Sequence, residues 1–135
     1  DMYVLYTKTQ NYHWNVVDAR FYSIHIFLEK QYEDLAEAID EVAERIRMLG
    51  ERSPGTLRQF LEMTSLKEAE NEKAGNEMLQ DLKKDHEKMI GFLRTRIPLT
   101  AEAGDEGTAD LFIQQLRFHE KSAWMLRSHL ESVSH

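Results

Sequence analysis

A chain of 135 residues with no Cys, six Gly and two Pro is the size of one domain, and it excludes a disulfide framework and thiolate metal sites. The formal charge of −7 opposes non-specific DNA binding through Lys and Arg; it favours attraction of cations, more so in an oligomer. No apolar run reaches the ~20 residues that span a bilayer.

Asp1 is not an initiator Met, and Met2, Leu5, Thr9, Tyr12 and Val16 already repeat at threes and fours. The reading is a helix from about Met2 to Val16 entered partway, with upstream residues and any targeting signal outside this sequence. The second helix is the clearest. Phe21, Ile24, Leu28, Gln31, Leu35, Ile39, Val42, Ile46 and Leu49 keep helical spacing, and Gly50 is a C-terminal stop. A break over residues 51–55 contains Ser53-Pro54-Gly55, and Thr56 then caps a short helix through about Met63. The third long helix carries Met78, Leu82, His86, Met89, Leu93 and Ile97 and is predicted to stop before Pro98. Residues 98–107 read as a polar, acidic loop with Gly104 and Gly107. The last helix starts near Thr108 and carries Phe112, Leu116, His119, Ala123, Leu126, Leu130 and Val133. This order predicts an all-α, ferritin-like four-helix bundle with a short helix in the long crossover, as a single domain over residues 1–135. The Met residues follow helical spacing and are expected in the core.

The first third also carries His13, His25, Glu29, Asp40 and Glu44, spaced H-x11-H-x3-E-x10-D-x3-E. At ~100° per residue, with His25 as zero, Glu29 falls at ~40°, Asp40 at ~60° and Glu44 at ~100°. The last four ligands therefore share one sector of one helix. They form two i,i+4 pairs that start fifteen residues apart, which is ~22 Å along the axis. Metal–ligand bonds are only ~2.0–2.2 Å, so one ion cannot touch both pairs on one straight helix. If a second copy packs its helix antiparallel, His25 and Glu29 of one chain face Asp40 and Glu44 of the other. A two-fold axis then makes two identical sites. The crossing falls near Leu35 and Ala36, where a small residue allows close approach. An intra-chain di-iron bundle would use Glu-x-x-His pairs. The residues three before the six His are Gln10, Tyr22, Lys83, Leu116, Leu126 and Ser132, so that arrangement is absent. Taken alone, Glu29 or Asp40 is an ordinary surface charge, and Glu33, Asp34, Glu37 and Glu41 are read as solvated. His86 and His119 sit on apolar stripes and are read as core or interface histidines. His129 and His135 lie near the end and say little.

Three stretches carry a resemblance: residues 8–16, KTQNYHWNV; residues 43–50, AERIRMLG; and residues 123–127, AWMLR. They resemble the signature segments of the Dps family, the mini-ferritins, and the likeness runs through essentially the whole chain. The resemblance implies an inter-subunit ferroxidase centre holding two iron ions, with His13, His25 and Glu29 from one chain and Asp40 and Glu44 from its dyad mate. It implies a hollow dodecamer that oxidises iron(II), preferably with hydrogen peroxide, and stores iron(III) mineral. It implies acidic pores near the loop before the last helix, with Asp105 and Asp110 as candidates and Glu102 and Glu106 nearby. The competing role for these acids is a solvated loop that supplies N-terminal charge to the last helix. Trp14 is a candidate electron donor when one iron is bound; its alternative is core packing. Two departures from the family pattern stand out. Glu29 occupies a position where many members have Asp, and Val17-Asp18-Ala19-Arg20 replaces a turn that often contains Gly.

Carboxylates stabilise the higher charge of iron(III), and imidazole suits iron as well. Two other functions compete. One is DNA condensation, which would place the protein on the bacterial nucleoid rather than simply in the cytoplasm. It often depends on a basic tail, and residues 128–135 offer no Lys/Arg run. The other is a structural or signalling bundle without metal turnover. Neither requires a membrane.

Overall fold

The computed structural model describes residues 1–70 and 73–131. Among them are five helices and no strand: α1 Met2–Asn15, α2 Phe21–Met48, α3 Leu57–Met63, α4 Gly75–Glu102 and α5 Glu106–Leu130. The chain forms two compact units, Asp1–Met78 and a second that begins at Leu79.

In the first unit α1 packs against α2. The apolar residues that repeat at helical spacing are the ones removed from water: Leu5, Tyr12, Ile24, Leu28 and Leu35 are fully buried. The predicted end of α2 holds. Gly50 adopts φ 94°, which glycine reaches without a Cβ penalty. Its N–H reaches the Arg47 carbonyl at 3.0 Å and that of Glu51 reaches Ile46 at 3.2 Å, the paired bonds that close a helix C-terminus. The Thr56 cap also holds. Its Oγ1 accepts from the Gln59 N–H at 3.1 Å, and Gln59 Oε1 accepts from the Thr56 N–H at 3.1 Å. The short helix is tied to α1 by Tyr3 and Phe60, stacked at 4.4 Å. Just beyond α3, the Asp1 carboxylate accepts from Thr64 Oγ1 and Ser65 Oγ, both at 2.8 Å.

In the second unit, Leu79, Leu82, Met89, Ile90 and Leu93 of α4 are buried, as are Ala109, Ala123 and Leu126 of α5. The helix predicted to stop before Pro98 instead runs through it to Glu102. Proline removes the N–H that would reach the Arg94 carbonyl. Arg94 and Pro98 are both exposed, so water can take that carbonyl and the cost is small enough for the last turn to persist. The stop comes at Gly104, φ 81°. There the Gly104 and Asp105 N–H groups reach the Ala101 and Thr100 carbonyls at 3.0 and 3.1 Å. The predicted loop over residues 98–107 thus shrinks to residues 103–105, and α5 begins two residues earlier than expected. Two methionines depart from the core assignment: Met48 is 70% exposed and Met63 69%, each at the last turn of its helix. Val133 and His135 lie outside the described residues.

Candidate metal centre

His13 sits in the last turn of α1 and His25 near the start of α2, so the turn over residues 16–20 folds one back onto the other. Their rings stack at 3.8 Å between centroids, 10° apart. Each ring's Nδ1 lies 2.7 Å from the other residue's backbone carbonyl: His13 Nδ1 on His25 O, and His25 Nδ1 on His13 O. A carbonyl oxygen only accepts, so each Nδ1 must carry a hydrogen and donate. Both neutral rings are thereby fixed in the Nδ1–H tautomer, with a bare lone pair on each Nε2. This is how a metal-ligating imidazole is normally oriented by its outer partner. His13 is buried and His25 half-buried.

Two aromatic rings frame this pair, and the sequence reading missed both. Phe21 stacks on His25 at 5.0 Å, and the Tyr32 edge meets the His13 ring at 5.2 Å. Their signal was available: Phe21 lies four residues before His25 and Tyr32 seven after it, both on the same side of α2. Burial raises the Tyr32 phenol above its ordinary range, and the Glu29 charge pushes it further the same way. Glu29, one turn after His25, is half-buried.

Asp40 and Glu44 are exposed, one turn apart on α2. The charge of Asp40 and a hydrogen bond shared with it raise the Glu44 carboxyl above its ordinary value, the behaviour of two acids held side by side. Among the described residues, no three His, Asp or Glu side chains of a single chain come together as a metal site. Trp14, beside His13, is 64% exposed, so packing within its own chain does not account for it. Asp105 is the N-cap of α5, its Oδ1 accepting from the Thr108 N–H at 3.1 Å and its Oδ2 from Thr108 Oγ1 at 2.6 Å. Asp110 is exposed and accepts from Gln114 Nε2 at 3.0 Å. His86 and His119 are fully buried and face each other, as core histidines do. His129 spends its Nδ1 on the Met125 carbonyl at 2.7 Å.

The ferritin-like domain family matches residues 1–134. DNA protection during starvation protein 2 of Bacillus anthracis is 36% identical over 130 residues, covering 96% of this chain and 89% of that protein. The crystal structure of Dps from Staphylococcus aureus superposes with a TM-score of 0.94 at 33% identity, covering 98% of this chain and 89% of that one. The chain belongs to the Dps family. A further relative, an uncharacterized low temperature-induced protein of Nostoc sp., is 42% identical over 133 residues, 97% of this chain and 74% of its own length. As a Dps-family protein the chain has the all-α ferritin-like fold read from its sequence. Iron storage and protection are its general function. No helix among the described residues is long and apolar enough to cross a membrane.

Proposed function

We propose that this Dps-family chain, acting as a single domain, oxidises iron(II) at a site shared by two copies across a two-fold axis. The preferred oxidant is hydrogen peroxide, and the iron(III) product is stored as mineral inside a hollow dodecamer. The reciprocal hydrogen bonds of His13 and His25 carry this reading, because they hold two bare Nε2 lone pairs in fixed orientation. One chain supplies the imidazoles and Glu29; the exposed Asp40 and Glu44 of its mate supply the charge that iron(III) needs. The face of α2 that bears these acids supports a covering partner. Tyr22 and Ile26, 75% and 42% exposed, fall in the same sector, at ~60° and ~100°. Leu35 points into its own chain, whereas the small Ala36 is exposed. Two iron(II) ions give up one electron each. One peroxide takes both, with two protons, and leaves as two waters, so no hydroxyl radical is released. Trp14 is the proposed donor of the second electron when a single iron is bound. A cytoplasmic location goes with this role. The alternative, DNA condensation, is opposed by the charge of −7.

An iron(II) titration with peroxide tests the reading when oxidation and particle mass are followed together. The expected result is rapid oxidation of two irons per shared site within a stable dodecamer that then fills with mineral. A stable monomer by light scattering at physiological salt would defeat it, as would oxidation no faster than that of free iron(II).

Entry through acidic pores belongs to the same proposal. The Asp105 carboxylate is committed to Thr108, so Asp110, with Glu102 and Glu106 nearby, carries it. A carboxylate ring at a symmetry axis concentrates cations by focusing the field. Asp110→Asn is expected to slow initial iron uptake several-fold at low iron with the assembly intact, and the difference should shrink as salt rises. An unchanged initial rate at low salt would assign Asp110 to helix-terminal charge alone.

A further inference from the structure

The turn over residues 16–20 is held on two sides by side chains that take no part in the metal set. Asp18 Oδ1 accepts from the Arg20 backbone N–H at 2.8 Å and from Arg20 Nε at 3.0 Å, and Oδ2 accepts from Arg20 Nη2 at 3.3 Å. The same Nη2 donates to Asn76 Oδ1 at 2.6 Å, in the first turn of α4. On the other side stands Gly75, the first residue of α4. A Cβ built there would lie 2.5 Å from Asp18 Oδ2, 3.1 Å from its Cγ and 3.2 Å from its Cβ. Gly75 is not among the positive-φ glycines, so its backbone does not require glycine. The close approach of the Asp18 carboxylate does.

We propose that Asp18, Arg20 and Gly75 form a clamp that fixes the register of α1 against α2 and thereby positions His13 and His25 as ligands. The inference rests on the metal-site reading above. Its physical basis is the narrow tolerance of the reciprocal bonds. A slip of one residue along a helix moves a side chain by ~1.5 Å and turns it by ~100°, whereas an N–H···O bond holds only between ~2.7 and ~3.2 Å. The ligands lie twelve residues apart, on either side of the five-residue turn. A turn free to change its dihedrals would let one imidazole lose its carbonyl, and the ring would then sample the other tautomer. Asp18, Arg20 and Gly75 are positioning residues: they act through the turn and do not touch iron.

The test uses the assembled protein free of metal. Histidine is 15N-labelled, and the His13 and His25 signals are assigned by His13→Gln and His25→Gln in solid-state NMR. Both rings are expected as the Nδ1–H tautomer in the unaltered protein. In Asp18→Ala both should become mixed, and anaerobic iron(II) affinity at the shared site should drop about tenfold, the scale of losing a ligand's outer support. Asp18→Asn keeps an acceptor for the Arg20 N–H and should restore most of the tautomer signature and affinity. Gly75→Ala should lower affinity in the native background but add little to Asp18→Ala, because the atoms it meets first are then gone. An assembled Asp18→Ala protein with unaltered tautomers and affinity would overturn the clamp. So would a Gly75→Ala effect of equal size in both backgrounds. If the unaltered protein binds no iron(II) at His13 and His25 while its tautomers still respond to Asp18→Ala, the metal reading fails and the clamp stands.

Discussion

Chains carrying His25→Ala/Glu29→Ala and chains carrying Asp40→Ala/Glu44→Ala are each expected to lose peroxide-dependent iron oxidation when assembled alone. Co-assembled in equal amounts, they should recover about a quarter of it, which follows from the symmetry of a two-fold interface. In a mixed dyad one site combines both damaged halves and is dead. The other combines intact His25 and Glu29 from one chain with intact Asp40 and Glu44 from its mate. Random pairing makes about half the dyads mixed, with one working site of two in each. The loss in each parent should exceed ~100-fold, because first ligands are removed rather than the outer partners that cost ~10–100-fold. The measurement is the initial rate of iron(III) formation, with mass spectrometry to establish mixed assembly. A mixture that contains mixed dyads yet recovers nothing would sink the shared site. An Asp40→Ala/Glu44→Ala parent with full activity would sink the role of the acidic pair directly.

The features legible in the sequence are those fixed within one helix. The core stripe of α2, the stop at Gly50, the Thr56 cap and the angular sector of Asp40 and Glu44 all follow from 3.6-residue periodicity and local chain chemistry. Pro98 misled because a proline's cost depends on whether the freed carbonyl is wet, and exposure near a helix end is not visible in sequence. The contacts of His13 with His25 and of His86 with His119 span 12 and 33 residues. Each depends on the register of one helix against another, which no single helix's periodicity contains. In the sequence, Asp18 and Arg20 stand only in a turn that departs from the family pattern. Only the approach of Gly75 reveals what their geometry holds.

His86 and His119 set the second large expectation, a steep loss of stability in acid. Their Nδ1 atoms are 2.9 Å apart, and one hydrogen can lie between them. One ring therefore donates from Nδ1 and has a bare Nε2. The other accepts at Nδ1 and carries its hydrogen on Nε2. Both Nε2 atoms are buried with no partner among the described residues; a proton added to the donor ring would land on a dry, unpaired Nε2, and one added to the acceptor ring would land on its Nδ1 and break the bond between the rings. Burial lowers His119 to about 4 from an ordinary 6.5, and burial together with its neighbour His119 pushes His86 well below its ordinary value. With both lowered on folding, the unfolded chain takes up protons that the folded chain refuses. Their stabilising contribution is complete above pH ~6.5 and declines as pH falls, and for His119 it is exhausted below about pH 4. At ~1.4 kcal/mol per pKa unit, His119 alone accounts for about 3 kcal/mol across that window, and His86 adds with the same sign. His86→Leu/His119→Met replaces both partners with apolar groups, which is close to neutral at pH 7 when shape is kept. It should flatten the melting temperature between pH 6.5 and 4 relative to the unaltered protein. His119→Leu alone strands the remaining imidazole, so it should destabilise by ~1–3 kcal/mol at pH 7 and keep part of the acid slope. Thermal and denaturant unfolding across this pH range measure all three. If the double variant loses stability in acid as steeply as the unaltered chain, the carboxylates govern the acid limb and the buried pair does not.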